Sequence, residues 1–127
     1  PKPILGYERV RGQRRVFVTE GAFDYLTGVS WNLPICALLG THVRAERLRF
    51  LERVPEVVLV FDNDDEGQHA ARELAESLGD HARMLRLPDG VKDLGELGAS
   101  ADGRETFFRL VAELAPVEKE VQHAPAS

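Results

Sequence analysis

Short, uninterrupted apolar stretches alternate along this chain with segments whose apolar residues recur every three or four positions. Arg15–Thr19, "RVFVT", is short and β-branched and predicts a strand. "EGAFDYLTG" follows, with Phe23 and Leu26 on one side of a short helix expected to end near Gly28. "LPICALLG" predicts a second strand, with Pro34 at its start, where a missing N–H matters least. "THVRAERLRFLERV" predicts a helix with Leu48 and Leu51 inward and Arg44, Arg47, Glu52 and Arg53 outward, stopped by Pro55. "EVVLVF" is apolar throughout, as a strand covered on both faces must be. Ala70, Ala71, Leu74, Ala75 and Leu78 then mark an amphipathic helix closed by Gly79. "ARMLRL" predicts a fourth strand, "PDGVKDLGELG" is turn-rich, and "RETFFRLVAELA" predicts a last helix carrying Phe107, Leu110, Val111 and Leu114. No internal repeat is visible.

Strands alternating with helices imply an α/β fold with a mostly parallel, four-stranded sheet and helices on both faces. The pattern divides the chain into an opening linker or peripheral edge over 1–14, one domain over 15–115, and a loose polar tail over 116–127. In such sheets ligands sit at the carboxyl ends of the strands. Glu20 follows the first strand, Thr41 the second, Asp62 to Asp65 the third and Asp93 the fourth. Acids far apart in sequence are thereby expected on one edge of the sheet.

Composition narrows the class. With 43% hydrophobic and 29% charged residues the chain reads as soluble and globular. Its longest apolar runs are too short to span a bilayer, no membrane partner is expected, and "PKPILGYERVRGQRR" has no signal-peptide pattern. The lone Cys36 excludes a disulfide framework and a Cys-based zinc site, so a reducing, cytoplasmic setting is expected. A net charge of -5 argues against a self-sufficient nucleic-acid binder, unless cations fill the acidic site or other segments supply a basic surface. The opening "PKP", without an initiator Met, suggests a piece excised from a longer protein.

The acids of "DNDDEG" frame the chemistry. Two carboxylates about 5 Å apart repel by roughly 3 kcal/mol at an effective dielectric near 20. Several together demand protonation or a counter-cation, and no arginine pair stands in this stretch. All-oxygen ligation suits Mg²⁺ or Mn²⁺, which need only one or two carboxylates each. In an extended segment Asp62 and Asp64 aim the same way while Asn63 turns aside. Asp65 and Glu66 start the next helix, where its dipole favours acids, and Gly67 lets that helix pack close to the sheet. A purely structural alternative stands beside this: Asp64 or Asn63 as N-cap, Asp24 as an exposed first-turn acid, Asp93 as the cap of a short turn. Asp24 lies one helical turn beyond Glu20 and can face the same space. His42, His69, His81 and His123 carry no ligand signal, and the arginines of "RAERLRFLER" read as a solvated helix face.

"VTEGAFDYL", "LLGTHV", "VVLVFDNDDEGQHAA" and "VKDLGEL", in this order, resemble the Toprim domain, in the version of bacterial-type DNA primases and phage primase-helicases. The resemblance covers roughly residues 15–97 and implies a Rossmann-like Toprim fold. It implies that Glu20 is a catalytic general acid/base and metal contact, that Asp62 and Asp64 are the metal-binding Asp-x-Asp pair, and that Asp24 and Asp93 are further metal-site acids. It implies Mg²⁺ or Mn²⁺ as cofactor. The implied activity is nucleotidyl transfer, making RNA primers from nucleoside triphosphates on a single-stranded DNA template, with a helicase as partner in the full-length protein. Asn63 stands where primases commonly have Gly, Glu66 where Ala is usual and Gln68 where Arg is common. The basic and zinc-binding segments that precede the primase Toprim unit are not in this sequence. A Mg²⁺-dependent Toprim nuclease and a non-catalytic nucleotide- or partner-binding Toprim module remain alternatives. A receiver or haloacid-type phosphatase fits poorly, because each wants its acid pair after the first strand.

Overall fold

A computed structural model of the chain describes residues 4–39 and 45–114. β1 (Arg15–Thr19) is apolar and β-branched, and everything after Arg15 in it is buried. β3 (Glu56–Leu59) lies beside it, in the register Val16 to Val57 and Val18 to Leu59. β2 (Ile35–Ala37) flanks β1, and β4 (Ala82–Met84) flanks β3. The order is β2-β1-β3-β4 and all pairs are parallel, so β1 and β3 are the inner strands, as their unbroken hydrophobicity requires.

Each face of the sheet carries a core layer. Val16, Val18, Val57, Leu59 and Phe61 point to one face and meet Val10, Leu51, Ala71 and Leu78. These come from α1 (Tyr7–Val10), a 3₁₀ segment (Ala45–Arg53) and α3 (Asp65–Leu78). Phe17, Ile35, Val58 and Val60 point to the other face and meet Leu94, Leu97, Phe107 and Val111. That layer is closed by α2 (Ala22–Ser30), α4 (Leu94–Gly98) and α5 (Gly103–Ala112). The opening segment lies on the outer edge of β2, where Leu5 bridges Ala37 antiparallel. None of the described helices is long and apolar enough to cross a membrane.

Several elements differ from the sequence reading. The segment before Pro55 is a 3₁₀ helix over its described part, not an α-helix. Leu48, Leu51 and Val54 recur every third residue, which aligns them on one side at the 3₁₀ period. Leu51 and Val54 are buried and Leu48 half-buried, while Glu52 and Arg53 are exposed as expected. Arg44 and the side chain of Arg47 lie outside the described residues, as do Thr41, His42, His123 and the tail over 116–127. α2 runs through Gly28 to Ser30, and Gly28 serves as a contact point instead of a stop: a Cβ there would run into the Ile35 side chain. Phe23 and Leu26 do share a side of α2, but it is the outward one, at 80% and 57% exposure. Tyr25 and Val29 pack inward instead. β4 stops at Met84, although Leu85 N–H still donates to the Leu59 carbonyl at 3.0 Å. Within the turn-rich stretch the chain forms α4.

Phe107 is fully buried between Phe17 and Trp31, at ring centroid distances of 5.6 and 5.4 Å. Phe107→Ala is expected to cost about 3–5 kcal/mol in urea denaturation, the usual range for emptying an aromatic core position. Phe23→Ala, on the exposed side of α2, should change stability by no more than about 0.5 kcal/mol.

Candidate metal centre

The register of the inner strands sets the site. With Val18 opposite Leu59, the end of β1 and the end of β3 arrive side by side. Glu20 then reaches across, and its Oε1 accepts the Asp62 N–H at 2.9 Å. Beneath this contact the Thr19 hydroxyl, fully buried, donates to the Val60 carbonyl at 3.0 Å. The Asp62 carbonyl accepts from Gln68 Nε2 at 3.1 Å, so the first turn of α3 is tied back onto the loop. Gly67 allows this approach, since a Cβ at that position would collide with the Asp62 backbone. The expectation that Gly67 brings the helix close to the sheet therefore has a specific contact behind it.

Asp64, Asp93 and Asp24 each accept a backbone N–H. Asp64 is the N-cap of α3, with Oδ1 accepting the Gly67 N–H at 2.7 Å. Asp93 caps α4, with Oδ1 accepting the Glu96 N–H at 2.8 Å, and Glu96 Oε1 in return accepts the Lys92 N–H at 2.9 Å. Asp24 is neither an exposed first-turn acid nor an open ligand. It is only 5% exposed, and its Oδ1 accepts the Gly95 N–H at 2.8 Å, which ties the start of α2 to the start of α4. Asp65 and Glu66 lie exposed in the first turn of α3, where the helix dipole favours them.

Asp62 differs from these. Among the described residues no hydrogen-bond donor reaches its half-buried carboxylate. Burial, followed by the charges of Glu20, Asp24, Asp93 and Asp64, pushes its carboxyl up to about 6. Glu20 is also raised, first by burial and then by the charges of Asp64, Asp24 and Glu66, against the lowering effect of the Asp62 N–H. Asp24 is raised by burial and by Asp93, against the Gly95 N–H. Acids from the ends of β1 and β3, from α2 and from the loop before α4 thus share one electrostatic environment.

This donor set suits a hard dication. Among the described residues no group of His, Cys, Asp and Glu encloses a metal by itself. Mg²⁺ does not require such a cage: it keeps several waters and binds through one or two carboxylates plus substrate oxygens. An unpartnered Asp62 carboxylate among other acids meets that description. The histidines lie elsewhere among the described residues: His69 faces Glu73 at 3.6 Å on exposed helix surface, and His81 Nδ1 meets the Val54 carbonyl at 2.8 Å. Arg15 pairs with Glu56 at 2.8 Å and Arg11 with Glu8 at 3.2 Å. The sequence reading missed the part played by Asn63. It turned Asn63 aside from its acidic neighbours, but nothing local told where the side chain went.

The sign of the pH dependence follows from the raised Asp62 carboxyl. Below the ordinary value of 3.8, folded and unfolded chains both hold the proton. Between 3.8 and about 6 the folded chain holds more protons than the unfolded one, so stability falls as pH rises through that window. Asp62→Asn removes this loss. In chelator, denaturation midpoints followed from about pH 4 to about pH 7 should show the variant gaining on the wild type as pH rises. Parallel profiles would refute the shift.

Residues 17–97 match the family described as Toprim-like. The chain is 27% identical over 97 residues to an uncharacterized protein of Mycoplasma genitalium, a match that covers 71% of this chain and 44% of that protein. It therefore spans less than half the length of this curated relative. Two solved structures share the fold at 25% identity. The zinc-binding and RNA polymerase domains of the Aquifex aeolicus primase align with a TM-score of 0.69, covering 80% of this chain and 26% of that one. The primase fragment of the bacteriophage T7 primase-helicase protein aligns with a TM-score of 0.65, covering 79% and 44%. Parallel strand order, acids on adjoining strand ends and these similarities agree: the chain belongs to the Toprim-like family, and its structural neighbours are primase domains.

Proposed function

We propose that this chain is the catalytic Toprim domain of a primase-type nucleotidyltransferase, which extends an RNA primer on a single-stranded DNA template in a Mg²⁺- or Mn²⁺-dependent reaction. The observation that carries the reading is the Asp62 carboxylate, without a donor among the described residues and raised to about 6 by burial and by the acids around it. Such a group calls for a cation, and phosphoryl chemistry is what a cation on this fold edge serves.

In the reaction a primer 3′ hydroxyl attacks the α-phosphorus of a nucleoside triphosphate, the α–β phosphoanhydride bond breaks, and pyrophosphate leaves. Asp62 and Asp64 would hold the dication, Asp64 through the oxygen that does not cap α3. When bound, that ion neutralises phosphate charge and polarises the reacting phosphoryl group. Glu20 has Oε1 committed to the Asp62 N–H, which leaves Oε2 to take the proton of the attacking hydroxyl. Burial and the neighbouring acids raise its proton affinity, which makes it a better proton acceptor than an exposed glutamate. Asp93 offers its second oxygen toward a further ion. Asp24, buried and bonded to Gly95, anchors the wall of the site beneath these groups.

With a net charge of -5, this chain would draw its grip on the template from basic residues elsewhere in the longer protein. A helicase is the proposed partner there. The T7 neighbour is described as part of a primase-helicase protein.

Mn²⁺ titration should broaden amide resonances around Glu20 and Asp62–Asp65, and Asp62→Asn should abolish the effect. Broadening confined elsewhere rejects the site. In the full-length protein, with single-stranded template, labelled nucleoside triphosphates and Mg²⁺, Asp62→Asn is expected to lower primer synthesis on the order of 10²–10³-fold, as losses of transition-state charge stabilisation do. Cleavage of plasmid or RNA in Mg²⁺ without nucleotides would replace the transferase reading with a nuclease.

A further inference from the structure

The pairing of β3 with β4 fades just where the acidic loop begins. Its last ladder contact is the Leu85 N–H to the Leu59 carbonyl at 3.0 Å. Beyond that point the chain after β4 turns away through Leu87 and Pro88, and Pro88 has no N–H to offer a neighbouring strand. Something else must hold the following loop, which carries Asp93, against the loop that carries Asp62 and Asp64. Asn63 does this. Its Nδ2 lies 3.3 Å from the Leu87 carbonyl, 3.3 Å from the Pro88 carbonyl and 3.2 Å from the Val91 carbonyl. Its own N–H donates to the Lys92 carbonyl at 2.6 Å.

We propose that Asn63 is a positioning residue, whose amide clamps the 87–92 loop to the end of β3 and so fixes Asp93 relative to Asp62 and Asp64. The proposal rests on the metal-dependent reading above and adds to it the residue that sets the spacing of the acids.

The chemistry at this position is specific. The partners are all carbonyl oxygens, so the side chain must present its NH₂ to them, and the two N–H bonds are shared among three acceptors. An aspartate of the same shape would have no donor and would face those oxygens with a negative charge. Glycine or alanine would leave the half-buried carbonyls to water. Position 63 also lies between the two acids that need aiming. Anchoring its side chain restrains the bend from which both neighbours project.

The clamp completes a circuit of polar ties around the site. Glu20 joins the end of β1 to the end of β3 through the Asp62 N–H. Asn63 joins the end of β3 to the loop after β4. Asp93 caps α4, and the next residue but one, Gly95, donates to Asp24 on α2. α2 follows directly from Glu20 and Gly21, which closes the circuit. Removing the Asn63 side chain takes away its ties to the Leu87, Pro88 and Val91 carbonyls, leaves the main-chain bond to Lys92, and removes no carboxylate.

The test compares wild type with Asn63→Ala, using Mn²⁺ affinity from electron paramagnetic resonance and amide exchange at position 63 and at Val91, whose N–H donates to Pro88 within the same loop. Asn63→Ala is expected to fold, to exchange faster at both amides, and to bind Mn²⁺ about 10–100-fold more weakly, the usual cost of losing a group that orients metal ligands. Val10→Ala loosens the core layer on the other face of the sheet and should leave Mn²⁺ affinity unchanged. Unchanged affinity in Asn63→Ala overturns the proposal, whether or not exchange rises. A wild type that binds no Mn²⁺ fails the metal reading itself, and that failure shows without any variant. Should the alanine variant not fold, Asn63→Ser, which keeps one donor on a shorter arm, takes its place, with weakened Mn²⁺ binding expected and unchanged binding again decisive against the clamp.

Discussion

The hydrogen bond from the Asp62 N–H to Glu20 Oε1 joins the ends of the two inner strands where acids from separate elements gather. It exists because β1 and β3 pair directly and in a register that brings their ends level. The bond does two things. It holds a glutamate that burial and neighbouring acids would otherwise drive toward protonation, and it fixes the backbone from which the Asp62 carboxylate projects. A slip in register would separate Glu20 from that N–H and leave each acid to find solvent by itself. In a parallel sheet buried on both faces such a slip is strongly resisted, because it would turn every core residue to the wrong side.

Charge of one sign at one edge is tolerable here because backbone donors share the load. Glu20, Asp24, Asp64 and Asp93 each accept a main-chain N–H, and the helix starts at Asp65 and Leu94 add favourable dipoles. At Glu20, Asp64 and Asp93 these bonds use one carboxylate oxygen, whereas Asp24 is buried and held from several sides. Asp62 has no such donor, and its raised proton affinity records the deficit. A proton or a dication can cover that deficit, and near neutral pH the proton is largely gone. On the proposed function, that demand for a cation would connect the packing of an acidic domain to chemistry on polyanionic substrates, which the same charge would otherwise repel.

Close backbone approach matters as much as charge. Gly67 lets α3 begin against the Asp62 loop, and Gly28 lets α2 lie on Ile35. The first contact brings Gln68 within reach of the Asp62 carbonyl. The second seats α2 so that Asp24, four residues upstream, meets α4. The core layers therefore act on the site through these small residues: they fix how near each helix start comes to the strand ends.

The strand order in sequence, the buried character of "VFVT" and "VVLV", and the placement of acids at strand ends were legible from the residues alone. They depend on short-range patterns: apolar runs that must be covered on both faces, and turns that follow them. The caps at Asp64 and Asp93 were also foreseeable, as alternatives, since a cap needs only its own next turn. The 3₁₀ path of Ala45–Arg53, the outward turn of Phe23 and Leu26, the burial of Asp24 and the clamp at Asn63 were not legible. Each rests on a partner far away in the chain: Asp24 on Gly95, Asn63 on the loop after β4, α2 on Ile35. A carboxylate or an amide looks the same in a sequence whether it faces water or a distant backbone group. Its role is settled only when folding removes the water and leaves that one group within hydrogen-bonding distance.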